Sequence, residues 1–174
     1  MAIYQFEDKI PHIGTDTYVA DSAEIIGNVA IGDDCYIGPG AKIRGDYGRV
    51  EIGSRCSIQE NVVIHARPDE MVVVGNDVTV GHGSILHNCT LEDFSVVGMG
   101  AVISDYARIG RWAVIGENGL VRQHQHIPDE RVAVGVPAKV LGPIKEETRA
   151  ELLRFKQKYV EMAHRHLKGI KKLV

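Results

Sequence analysis

Cysteine and aromatic residues are scarce in this chain of 174 residues, and both scarcities exclude something. Cys35, Cys56 and Cys89 show no metal-type spacing, and so sparse and odd a count suits a reducing compartment better than a disulfide framework. Aromatic side chains make up 6% of the chain, too few for a platform on which single-stranded bases could stack. A net charge of -3 argues against broad electrostatic binding to nucleic acid or to anionic lipid. No basic–apolar–small leader opens the chain and no apolar run is long enough to span a bilayer, so the expectation is a cytoplasmic protein with neither a membrane nor a nucleic-acid partner. At 44% hydrophobic and 25% charged, the composition is that of one globular domain.

Glycine, by contrast, is abundant at 19 residues, and it recurs at intervals. It follows an aliphatic residue in Ile13-Gly14, Ile31-Gly32, Ile37-Gly38, Ile52-Gly53, Val74-Gly75, Val80-Gly81, Val97-Gly98, Ile109-Gly110 and Ile115-Gly116. These aliphatics belong to a series with a beat of six: Ile13, Val19, Ile25, Ile31, Ile37, Ile43; Ile52, Ile58, Ile64; Val74, Val80, Leu86; Leu91, Val97, Ile103, Ile109, Ile115, Val121. An α-helix repeats its apolar residues every 3.5 to 3.6 positions and cannot carry this beat. A hexapeptide period is the signature of a β-helix, whose coils bury together an apolar face that no single repeat could bury alone. Four residues after each aliphatic stands a small side chain, among them Ala23, Cys35, Ala41, Cys56, Ser84, Ser95, Ala101 and Ala113, as a narrow prism requires. Cys35 and Cys56 are therefore read as small buried hydrophobes.

Repeats of this type resemble those of the left-handed β-helix hexapeptide proteins, whose triangular cross-section takes three hexapeptides per coil. The resemblance covers roughly residues 13–140 and implies about six coils, with Gly135-Val136-Pro137-Ala138-Lys139 as the exit. The expected architecture is an all-β left-handed parallel β-helix over residues 1–142, followed by one amphipathic helix in 143–174 packed on the prism. In that tail Leu152, Phe155, Tyr159, Met162, Ala163, Leu167 and Ile170 recur at helical spacing. Glu146 and Glu147 stand near its start and Lys168, Lys171 and Lys172 near its end, as the helix dipole favours. His164 and His166 fall in its last turns and are read as solvated or capping residues. Two steps of the series carry extra residues, three between Ile43 and Ile52 and four between Ile64 and Val74, and such insertions become loops on one side of a solenoid. The step from Leu86 to Leu91 is one residue short.

Three histidines lie around these irregular steps. His65 follows Ile64 and His87 follows Leu86, and the intervening hexapeptides make one full coil. The two therefore occupy the same corner on adjacent coils, roughly 5 Å apart by strand spacing. Two imidazoles so placed can share one Zn²⁺ at about 2.0–2.1 Å each. His82 follows Val80 by two and belongs to another side of the triangle, so as a ligand it would serve a site shared with another copy of the chain. Arg44 sits one coil below His65, Asp46 lies beside it, and Gln59 and Asn61 lie on the side of His82.

Taken in order, Arg44-Gly45-Asp46, Gln59-Glu60-Asn61, His65, Gly81-His82-Gly83 and His87 resemble the γ-class carbonic anhydrases. That resemblance implies reversible hydration of CO₂ to bicarbonate by hydroxide generated at a metal. It implies a homotrimer, with His65 and His87 from one subunit and His82 from its neighbour holding Zn²⁺, or Fe²⁺ or Co²⁺ in the same ligands. It further implies Arg44–Asp46 contacts across the interface and Gln59 orienting the reacting water or CO₂. Two departures from the family pattern stand out. Tyr47 occupies the place of a carboxylate, and the loop after His65 is short, so that only Asp69 or Glu70 could relay protons. Two other readings remain open on the same fold. One is a coenzyme A-dependent acyltransferase or thioesterase, for which His124 and His126 are spare bases. The other is a trimeric scaffold that keeps a metal for stability.

Overall fold

A computed structural model describes residues 2–173 as a stack of short parallel strands wound into a three-faced prism, followed by the helix Glu146–Gly169. Each face has its own buried column. Val19, Ile37, Ile58, Val80, Val97, Ile115 and Ala133 stack in register on one. Ile13, Ile31, Ile52, Val74, Leu91, Ile109 and Ile127 stack on the second. Ile25, Ile43, Ile64, Leu86, Ile103 and Val121 stack on the third, all within 1% of complete burial. The parallel β-solenoid expected from the hexapeptide beat is therefore what the chain forms. Seven strands line the first face, one coil more than the series suggested. The count stopped at Val121, whereas Ile127 and Ala133 close a further turn. The strand Arg131–Val134 then pairs antiparallel with Lys139–Pro143, which ends the winding. Cys35, Cys56 and Cys89 are buried and free, as small core residues would be.

The corners are turned by single residues in the left-handed region, such as Asn61, Asp69, Asn88, Tyr106 and His124. Asn and Asp tolerate that region better than most side chains. One corner is turned differently. The three extra residues after Ile43 do not form a loop; they are absorbed into an eleven-residue strand, Lys42–Ile52, that bends round the corner and pairs on both sides of it. This close passage needs glycine: a Cβ on Gly45 would lie 2.3 Å from the carbonyl oxygen of Asn28. The four extra residues after Ile64 do leave the prism, as a short loop through Arg67 and Glu70 to the strand Met71–Val74.

The helix lies against the strands Tyr18–Val19, Tyr36–Ile37 and Ser57–Ile58 of the same chain. Its contact side matches the face the apolar spacing picked out only in part: Ala163 is buried and Tyr159 and Met162 pack on the core as expected. Lys156 and Ala163 are buried, whereas Phe155 and Leu167 are about half exposed. His166 packs on Tyr18 and Tyr36, with ring centroids 4.8 and 5.6 Å away, and His164 Nε2 lies 2.7 Å from Asp34 Oδ1. Both histidines thus join the docking surface. Among the described residues no helix is long and apolar enough to cross a membrane.

Lys156 carries a cost. Among the described residues its ammonium donates to Thr79 Oγ1 and the Ser95 carbonyl, each at 3.2 Å, and burial lowers its pKa to about 8 despite the opposing influence of Cys56 and Asp77. Below pH 8 this lysine is charged in both folded and unfolded chains. Between about 8 and its unfolded value near 10.4 the unfolded chain binds more protons, so stability rises with pH across that window. Lys156→Met is expected to melt higher than wild type at pH 7, and the difference should shrink as pH approaches 10. Parallel melting curves of the two proteins across pH 7–10 check this; a constant gap would contradict it.

Candidate metal centre

The strands Val63–His65 and Ile85–His87 pair in parallel with His65 directly opposite His87. Their rings face one another at one corner, with His65 Nδ1 3.3 Å from His87 Nε2. Two nitrogens bound to one tetrahedral ion at about 2.0–2.1 Å are separated by about 3.3–3.4 Å. The pair therefore has the spacing that a shared Zn²⁺ requires, and imidazole nitrogen is a donor that suits Zn²⁺ and its first-row neighbours.

The other nitrogen of each ring meets a carboxylate. His65 Nε2 lies 3.3 Å from Asp46 Oδ1, and His87 Nδ1 is hydrogen-bonded to Asp105 Oδ1. A carboxylate on the far nitrogen is the usual support of a metal-ligating histidine, because it fixes which nitrogen keeps the proton. Burial, followed by the Arg44 guanidinium, pulls the His65 pKa below its ordinary value, which favours the neutral ring a metal needs. Burial would raise the Asp46 carboxyl, but the Tyr47 N–H, Arg44 and His65 outweigh it and hold the group below the usual carboxylate range. Asp105 behaves alike: burial raises it, and Arg67 with His87 more than reverses the effect.

Arg44 stands opposite His65 on the next strand and donates from Nη1 to Asp46 Oδ2 at 2.9 Å. This contact is made within one chain, since residues two apart on an extended strand share a face. Tyr47 is largely exposed and sits edge-on to His65, with centroids 6.3 Å apart. A recess of about 240 Å³ lined by Ile26, Ile43, Arg44, Val63 and His65 adjoins the pair. A larger groove of about 630 Å³ lies by Met162 and Ile170 near the end of the helix and contains none of the three histidines singled out in the sequence.

His82 lies on a different side of the prism, after the strand Thr79–Val80. Its Nδ1 faces Glu60 Oε2, and Glu60 Oε1 accepts from Tyr36 Oη at 3.0 Å. Glu60 Oε2 is within reach of His82 but is buried without a hydrogen bond. Gln59 is buried next to Glu60, and Asn61 turns the corner after it. The structure thus gathers the sequence candidates in two places: Arg44, Asp46, Tyr47, His65 and His87 in one, and Gln59, Asn61 and His82 in the other. Among the described residues, no three histidine, cysteine or acidic side chains stand together as a metal-binding set within one chain.

Asp69 turns the loop corner and stays exposed. Glu70 accepts from Tyr106 Oη at 2.7 Å and from Asn88 Nδ2, and these two donors hold it below the usual carboxylate range. Asp105 and Arg67 were not singled out in the sequence. An aspartate at a turn is common enough to pass as local chemistry. The one available signal was the short step after Leu86, next to which Asp105 falls.

Comparison with known proteins finds the bacterial transferase hexapeptide (six repeats) model matching residues 10–45. A carbonic anhydrase of Geobacillus kaustophilus is 38% identical over 91% of this chain and 87% of its own length. A mitochondrial γ carbonic anhydrase 2 of Arabidopsis thaliana is 34% identical over 91% of this chain; the match spans only 59% of that longer protein. Among solved structures, the BC4754 gene product of Bacillus cereus, described as a candidate acetyltransferase, superposes with a TM-score of 0.93 at 36% identity, covering 95% of this chain and 96% of the other.

Proposed function

Because the chain belongs to the γ-carbonic anhydrase-like family of hexapeptide-repeat proteins, we propose that it hydrates CO₂ reversibly at a metal centre shared between the subunits of a homotrimer. The observation that carries this reading is the pair of facing nitrogens of His65 and His87, each ring backed by a carboxylate. A catalytic Zn²⁺ takes three protein ligands and keeps one position open. The pair supplies two, and His82 of a neighbouring subunit supplies the third in this reading. When bound, the ion provides hydroxide at neutral pH. Zn²⁺ is the proposed ion, and Fe²⁺ or Co²⁺ suits the same nitrogens.

The chain's own residues do the rest. Asp46 and Asp105 hold the rings, and Arg44 holds Asp46. The recess beside His65, with Ile26, Ile43 and Val63 between the charged side chains of Glu24, Lys42 and Arg44, has room for a molecule as small as CO₂. Gln59 in the neighbouring subunit orients the substrate. The shared site also gives a use to the exposed outward row of the third face. There Val63 and Ile85 stand side by side between Lys42 and Val102, 39% and 41% exposed, next to the two histidines. An apolar row beside a half-built site is a surface for a partner subunit to cover.

Stopped-flow CO₂ hydration with metal analysis tests the reading; protein that carries one metal per chain yet gives no hydration above buffer would end it. The same assay bears on proton export. Both oxygens of Glu70 are already engaged, so the proton is expected to leave directly to buffer. Turnover should therefore keep rising with buffer concentration until another step limits it, whereas saturation at low buffer concentration would point to an internal relay that passes its proton on to buffer.

The similarity to a candidate acetyltransferase supports a second reading, acyl transfer from a coenzyme A thioester. Thiol release from acetyl-coenzyme A without CO₂ hydration would favour it.

A further inference from the structure

We propose that Asp105 is the positioning residue that sets the tautomer of His87, and that the one-residue shortening after Leu86 is what lets it do so. The proposal rests on the metal-site reading above. Leu86 pairs with Ile103, and one coil apart the left-handed corners Asn88 and Tyr106 are also paired, through Tyr106 N–H donating to the Asn88 carbonyl at 2.7 Å. Between these fixed points the lower coil has one residue, His87, and the upper coil has two, Ser104 and Asp105. The coil above is built like the upper one: Arg122 and Gln123 lie between Val121 and the corner His124. The upper coil therefore has one more residue at this corner than the coil below, and that residue is the carboxylate that reaches His87 Nδ1.

Asp105 is itself held. Arg67, in the loop after His65, donates to Asp105 Oδ2 from Nε at 2.8 Å and again from Nη2. This leaves Oδ1 for the imidazole. An ionised carboxylate only accepts, so the proton of a neutral His87 must stay on Nδ1. Nε2 then offers its lone pair toward Nδ1 of His65. The four-residue insertion and the one-residue deletion thus act together: the insertion brings the guanidinium, and the deletion brings the carboxylate into line with the ring.

Asp105→Ala removes the acceptor. Nitrogen-15 NMR of the histidine rings in metal-free protein should show His87 changing from a predominantly Nδ1-protonated form to a mixture of tautomers. Zinc affinity, measured by chelator competition, should fall about 10- to 100-fold. Should that variant fold poorly, Arg67→Gln leaves Asp105 in place but unclamped and is expected to shift both readouts in the same direction by less. Unchanged ring signals with zinc affinity within twofold of wild type would overturn the proposal. The two readings fail separately. Wild-type protein that binds no zinc defeats the metal centre, while the tautomer in metal-free protein still decides the role of Asp105.

Discussion

Replacing His87 with alanine is expected to remove bound metal and CO₂ hydration together. In the proposed centre the variant keeps one imidazole of its own corner, His65, and loses the nitrogen that faces it at 3.3 Å. Outer-shell partners of a metal-binding histidine are worth about 10- to 100-fold in affinity, so deleting the ring itself should exceed about 100-fold. The fold should survive. The His87 side chain is 38% exposed at a corner and Asp105 keeps its Arg67 guanidinium, so losing the imidazole hydrogen bond should cost about 1.5 kcal/mol. Metal content by mass spectrometry should fall to background while the melting temperature of the metal-free protein drops by only a few degrees. A variant that retained one metal per chain would remove His87 from the centre. His65→Ala should behave in the same way.

The second large effect is expected one residue away, in stability. Leu86 is fully buried between Ile64 below and Ile103 above, in the middle of its column. Leu86→Ala leaves a cavity that the hydrogen-bonded coils on either side cannot close, and such truncations cost about 2–5 kcal/mol. For a chain of this length each kcal/mol lowers the melting temperature by about 2–4 °C, so a midrange loss of about 3 kcal/mol is a drop of roughly 6–12 °C. Calorimetry at one protein concentration measures it. A drop under about 2 °C would mean that the column relaxes around the gap.

These two residues show what could be read from sequence. Leu86 was legible as core because the beat of six is a property of neighbours along the chain. The register of His87 over His65 followed by counting hexapeptides, and the paired strands agree with the count. Asp105 was not legible, because its significance comes from the coil beneath, 18 positions back. Lys156 escaped for a related reason. Helical spacing picks out Tyr159, Met162 and Ala163 but does not reveal that a lysine is buried beside them, where Lys156 Nζ donates to Thr79 and Ser95. The bend through Gly45 was read as a loop because an insertion and a continuous strand have the same length in sequence.

The corner that carries the histidines tolerates unequal numbers of residues from coil to coil: four extra after Ile64, one fewer after Leu86. Yet Val74, Leu91 and Ile109 resume their column without slippage. Length errors are therefore confined to one edge of the triangle, while the other two keep time. A chain built this way can be edited at its working edge, one coil at a time, with the remaining edges acting as a ruler that restores alignment. Grafting a longer loop in place of residues 66–70 should accordingly change what the edge can bind before it changes whether the protein folds.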